Sequence, residues 1–301
     1  MAATPGHSAQ PSGRASISRA HLHVRWDRVS VLLALVGVLA TVVVHTVVVA
    51  VNDSLRAVAA KPLSPKPLSP IHVVDQLPNT QHECPPPAIG VVHTAPPVRD
   101  AADPSARTVA LTFDDGPGPW TPHVLDVLQQ AGVHATFFVI GQQVPIEPEM
   151  LRRAIASGNV LGNHTWSHPI PSAKAGWNSS RLASEIDKTR RAILAAVGLE
   201  PCLFRPPGGI VKGAYHLAHN DGLSVILWSV DTRDWAGPPS GGQKFAAAIR
   251  KRAAQGLTQE HPVILLHDGG GNREATVAAL PGIIEDYKAH GYRFVTLDAP
   301  T

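Results

Sequence analysis

From about Arg107 onward the chain switches repeatedly between two spacings of apolar residues. Short β-branched and apolar runs at 108–113, 135–140, 160–162, 223–230, 263–266 and 293–297 predict buried strands. Longer stretches with helical spacing fall between them, at 121–131, 148–157, 180–197 and 275–290. The helix over 180–197 has the plainest pattern: Leu182, Ile186, Ile193 and Val197 share one face, and Gly198 ends it. Thr121 reads as an N-cap with Pro122 at the first helical position. Strands alternating with helices predict parallel βαβ units and an α/β fold. In a barrel built this way, chemistry sits where the strands end.

The first third has a different texture. Residues 29–51 carry no charge, and their only polar side chains are Ser30, Thr41, His45 and Thr46. A bilayer core takes about 20 apolar residues as a helix, so this run predicts a transmembrane anchor with membrane as its partner. Arg14, Arg19, Arg25 and Arg28 precede it in the basic tail 1–28, which places the N-terminus in the cytoplasm and the rest outside. The competing reading is a cleaved signal peptide, with Ala57-Val58-Ala59 as a cleavage-type site and a secreted product. The run is longer than the usual apolar core of a signal, about 7–15 residues, which favours the anchor. Residues 52–105 predict a Pro-rich extracytoplasmic linker, in which Lys61-Pro62-Leu63-Ser64-Pro65 is followed by its near-copy Lys66-Pro67-Leu68-Ser69-Pro70.

Charge narrows the partners. The net charge of +3 equals the contribution of the tail, where four arginines face one aspartate, Asp27. The remainder is balanced, so no nucleic-acid partner is expected, and no protein partner is predicted. Cys84 and Cys202 are too far apart for a redox CxxC or a zinc ribbon. Outside the membrane they suit a disulfide pinning the linker to the domain; otherwise they are one exposed and one buried thiol.

Five clusters at predicted strand ends carry candidate chemistry. Thr112-Phe113-Asp114-Asp115-Gly116-Pro117 places two carboxylates after a strand, an arrangement that is costly unless a cation shares them. His164-Thr165-Trp166-Ser167-His168 spaces two imidazoles four apart, on one face if the stretch is helical. With one carboxylate they form a set that leaves coordination positions open, as a catalytic metal requires. Arg205-Pro206-Pro207-Gly208-Gly209 is a stiff loop with an arginine suited to gripping a carboxylate. Asp231-Thr232-Arg233-Asp234-Trp235 and Leu265-Leu266-His267-Asp268-Gly269 follow two further strands, the latter with a histidine placed to move a proton. Taken singly, each has an ordinary explanation: an acidic turn, a chance histidine pair, a surface arginine, a core tryptophan, a buried histidine. Asn163-His164-Thr165 and Asn178-Ser179-Ser180 match the glycosylation pattern and read as chance.

In this order the five clusters resemble the NodB-homology domain of polysaccharide deacetylases (carbohydrate esterase family four), over residues 106–301. The resemblance implies a distorted, incomplete TIM-like (β/α) barrel. It implies one divalent metal ion, zinc by preference with cobalt or nickel as substitutes, held by Asp115, His164 and His168. Asp114 would be the general base, oriented by Arg205, and His267 the general acid, paired with Asp234. Trp235 and Leu265 would line the pocket around the acetyl methyl, and the amide of Gly208 would hold the oxyanion. The implied activity is hydrolysis of N-acetyl groups from GlcNAc- or MurNAc-containing polysaccharide, with peptidoglycan first, chitooligosaccharide or O-acetylated xylan as alternatives, and release of acetate. A non-catalytic glycan-binding surface protein is the other class, but such proteins should lack a ligand, base or acid that this chain keeps. Two departures are visible. Gly208 stands where the family often has an aromatic residue, which removes a wall beside the sugar, and Asn159 stands where it often has histidine.

Overall fold

The computed structural model describes residues 84, 90–94, 106–238 and 242–297. Their strands are β1 (Val91–Val92), β2 (Thr108–Asp114), β3 (Thr136–Val139), β4 (Val160–Asn163), β5 (Leu203–Phe204), β6 (Ser224–Ile226), β7 (Val230–Asp231), β8 (Val263–His267) and β9 (Arg293–Phe294). The hydrogen-bonded order is β1-β6-β5-β4-β3-β2-β8-β7, with β9 beside the start of β2, and every pairing is parallel. Only residues 227–229 separate β6 from β7, yet these strands lie near opposite ends of that order. The sheet must therefore curl until its ends approach, which gives the incomplete barrel implied by the resemblance.

Helices α1 (Thr121–Ala131), α2 (Pro148–Ala156), α3 (Ser179–Val197), α4 (Tyr215–Asn220), α5 (Gln243–Ala253) and α6 (Glu274–Ala289) cover its outside. All seven residues of β2 are buried, as expected for a central parallel strand. Its alternate residues Val109, Leu111 and Phe113 pack outward under the helices with Leu125, Leu128, Ile264 and Leu280. Ala110 packs inward with Phe138, Cys202, Leu203 and Ile226. Thr112 and Asp114 share the inward side by the two-residue period. Helix α3 buries the four predicted residues plus Thr189. The Asn178 side chain caps it by accepting from the Arg181 amide, and Gly198 closes it in the left-handed region at φ 73°.

Three expectations need revision. The strand over 223–230 is two strands, because the chain between them turns the corner from one end of the sheet to the other. Thr121 is the first residue of α1, not its cap; Trp120 is the cap, and the Thr121 hydroxyl accepts from Gly118 and donates to Asp268. Val91–Val92, inside the stretch read as linker, is an edge strand paired with β6. Cys84 and Cys202 form a disulfide. Among the described residues no helix is long and apolar enough to cross a membrane; the tail 1–28, the proposed anchor 29–51 and most of the linker lie outside them.

Candidate active site

The five clusters meet at one rim of the barrel, because each follows the C-terminal end of a parallel strand. Asp114 ends β2 and His267 ends β8, and the two are register partners across that pair. His164 follows β4, Arg205 follows β5, and Asp234 begins the short turn after β7.

Adjacent strand residues point to opposite faces, yet Asp114 and Asp115 both serve this rim. Asp115 achieves that by leaving the strand in the left-handed conformation, φ 74°. The histidine pair is likewise not helical: Thr165 at φ 68° and His168 at φ 51° fold the loop back, so the rings approach to 4.9 Å without a shared helix face. Left-handed non-glycine residues are uncommon and gather at functional sites.

Asp115, His164 and His168 bring one ligand atom each within 4.8 Å of one another. Asp115 Oδ1 lies 3.6 Å from His164 Nε2 and 3.3 Å from His168 Nε2. That oxygen is buried without a hydrogen-bond partner, a costly state unless a cation shares it. His164 donates from Nδ1 to the Arg205 carbonyl at 2.7 Å, which leaves the Nε2 lone pair facing the gap. Burial pushes the His164 pKa down to about 3, so the ring is the neutral form a metal needs. The donor set therefore fits one divalent ion with open coordination positions.

Asp114 stands beside this trio. Its Oδ2 is 3.6 Å from His164 Nε2, and its Oδ1 accepts from Arg205 Nη1 at 2.7 Å. Arg205 is fully buried, its guanidinium 4.0 Å from the centre of the Phe138 ring. Burial pulls its pKa down, and Asp114 opposes that by charge and hydrogen bond.

On the other flank, Asp234 is buried and saturated. Its Oδ1 accepts from His267 Nδ1 at 2.7 Å, and its Oδ2 accepts from the His267 amide and the Thr276 hydroxyl, each at 2.8 Å. Burial works to lower the His267 pKa, but the charge and hydrogen bond of Asp234, helped by Asp114 and Asp115, raise it to about 9. The imidazole is thus cationic near neutrality, with Nε2 left for the cleft.

The three expected pocket residues differ. Leu265 is buried in β8. Gly208 is exposed at φ 63°, a conformation glycine adopts freely. Trp235 is 49% exposed, with its indole N–H directed to Asp231. Asn163 is buried, its amide bonded to the Ile186 carbonyl and the Thr165 amide, so it offers no place for a sugar.

Support comes from residues that were given no role in the sequence. Thr276, on α6, completes the Asp234 shell, and Arg273 donates to the Asp234 and Gly269 carbonyls. Asp268 lies buried behind Gly116, and its pKa is pushed up to about 7, chiefly by burial. Only the position of Asp268, directly after His267, offered a signal.

A family profile described as polysaccharide deacetylase matches residues 101–225. The chain is 41% identical over 197 residues to a peptidoglycan-N-acetylglucosamine deacetylase of Bacillus cereus, covering 64% of this chain and 86% of that one. It is 36% identical over 199 residues to the peptidoglycan-N-acetylglucosamine deacetylase PgdA of Listeria monocytogenes, covering 65% of this chain but 40% of that longer protein. Among solved structures it is similar to a family 4 carbohydrate esterase from Streptomyces lividans in complex with acetate, with a TM-score of 0.54 and 32% identity, covering 62% of this chain and 90% of that one.

Proposed function

Since the chain belongs to the polysaccharide deacetylases of carbohydrate esterase family four, we propose that it hydrolyses N-acetyl groups of GlcNAc- or MurNAc-containing polysaccharide and releases acetate. Peptidoglycan is the substrate we favour, in keeping with the names of the B. cereus and L. monocytogenes relatives. The carrying observation is the grouping of Asp115, His164 and His168 beside the Asp114–Arg205 pair, with the Asp234–His267 pair at the neighbouring strand end.

Asp115, His164 and His168 would hold one divalent ion, zinc in our reading. When bound, such an ion supplies Lewis acidity, lowering the pKa of water and polarising an amide carbonyl. Asp114, fixed by Arg205, takes the proton of the attacking water. The Gly208 amide donates to the oxygen that gains charge; such a donor contributes about 3–4 kcal/mol in the best-studied case. An amine leaves readily only when protonated, and His267, cationic and aimed by Asp234, supplies that proton. Leu265 and Trp235 would bound the acetyl methyl.

The anchor at 29–51 and the Pro-rich linker would hold the domain outside the cell membrane, within reach of wall glycan. The disulfide supports that placement, since such bonds persist in oxidising compartments. The test is acetate release by the purified chain from peptidoglycan, chitooligosaccharides and O-acetylated xylan, with and without added metal. Metal-dependent release from peptidoglycan above the other glycans is the expected result; release from none of them would end the proposal.

A further inference from the structure

The partners of Arg205 point to a role for a segment far upstream of it in the sequence. Arg205 Nη1 donates to Thr112 Oγ1 and Asp114 Oδ1, at 2.9 and 2.7 Å. The other side of the guanidinium is held by main chain: Nη2 donates to the Leu227 carbonyl at 2.9 Å, and Nε to the Ile226 carbonyl at 3.3 Å. Those carbonyls sit where the chain leaves β6, and that stretch is held from outside by β1. Val91 and Val92 pair with Val225 and Ile226, and the Leu227 amide donates to the Val92 carbonyl at 2.8 Å.

The same segment is fixed a second time. Cys84 is bonded to Cys202, which directly precedes β5, the strand that delivers Arg205. Cys84 and Val92 also pack against the inner apolar cluster of Cys202, Leu203, Ile226 and Phe138, and Phe138 is the ring beside the guanidinium. A two-residue edge strand gains little on its own. A covalent link nearby raises its effective concentration at the sheet and lowers the entropy of its detached state. Cys84 and β1 both precede residue 101, where the family match begins.

We propose that the segment bearing Cys84 and β1 is a positioning element for Arg205. The disulfide keeps β1 on β6, β1 keeps the Ile226 and Leu227 carbonyls aimed at the guanidinium, and the guanidinium keeps Asp114 oriented. This rests on the reading of Asp114 as the base.

The experiment uses the full chain, oxidised, reduced with a phosphine, and as Cys84→Ser. It reads acetate release, bound metal, the exchange rate of the Leu227 amide and the Arg205 side-chain N–H resonance, all well below the melting transition. In Cys84→Ser, kcat should fall about tenfold with KM and bound metal unchanged, as expected for a misaimed catalytic group. Leu227 exchange should rise, and the Arg205 resonance should shift or broaden. Reduction should reproduce this in the parent protein, reoxidation should reverse it, and Cys84→Ser should ignore the reductant. Unchanged kcat overturns the proposal, as does a fall in kcat, bound metal and folded fraction together. If the oxidised parent releases no acetate, the deacetylase reading fails by itself. The positioning role is then decided by the Leu227 and Arg205 signals, whose constancy in Cys84→Ser would overturn it.

Discussion

His267 Nδ1 and Asp234 Oδ1 are 2.7 Å apart in a buried pair whose second carboxylate oxygen is already engaged by the His267 amide and Thr276. The carboxylate therefore cannot rotate away, and the ring keeps one orientation. This geometry gives the site its pH dependence.

Burial opposes the charge on His267, but Asp234 outweighs it and the pKa stands at about 9. A proton donor must carry its proton, so the rate should fall as pH rises through about 9. Asp234→Asn removes the foremost influence raising that pKa, and the alkaline limb should move to lower pH. A limb at the same pH in Asp234→Asn would remove His267 from the role. Stability follows the same linkage. The raised His267 pKa stabilises fully below the ordinary value of 6.5, and this is lost as pH climbs through about 9. Asp234 is pushed up by burial but held below 3.8 overall by His267 and Thr276, so its contribution is lost as pH falls through its lowered pKa. The pair should thus stabilise most between pH 3.8 and 6.5, which denaturant titration across pH would detect.

Asp114 and His164 touch the same gap but should fail differently. Asp114→Asn should retain metal while turnover falls on the order of 10²–10⁴-fold, the usual worth of a positioned base. His164→Ala should lose metal and turnover together. Metal analysis beside acetate release separates the two, and identical behaviour of both variants would contradict the assignment.

A chelator should abolish activity, and a divalent ion should restore it. An ion that binds only the folded chain also stabilises it, by about 2.7 kcal/mol at a hundredfold excess over Kd. The melting temperature should fall on chelation and recover with metal; activity that survives complete chelation would point to other chemistry.

Gly116 has a steric duty. A Cβ there would collide with the buried Asp268 carboxylate, so Gly116→Ala should cost about 1–3 kcal/mol, as overpacked interiors do. Gly118→Ala is the control, because its Cβ would come no closer than 3.7 Å to the Asp268 carbonyl or to Gly269. Calorimetry showing the two variants equally stable would refute this account.

Much of the site was legible because its side chains sit at strand ends, where apolar period and motif coincide. Asp114 and His267 stood out as candidates after the runs that precede them, and the resemblance of the five clusters together gave them roles. The histidine pair was grouped with a helical turn as one possible geometry; two left-handed residues bring the rings together instead. No period announces such a conformation. Thr276 and Arg273 were invisible because their roles exist only once the start of α6 meets the Asp234 turn in space. The strand over 223–230 looked continuous because its link is as apolar as its flanks; the break appears only when the sheet curls. The cysteine pairing stayed open because sequence distance does not reveal spatial distance.

Asp114 and His267 occupy matching rungs of neighbouring parallel strands, about 4.8 Å apart. The gap between the group proposed to collect a proton and the group proposed to deliver one is thus gauged by the peptide ladder itself. Surrounding loops can lengthen, shorten or trade aromatic walls for glycine to suit a different sugar chain. The spacing of Asp114 and His267 would survive such changes, since altering it would take a slipped strand.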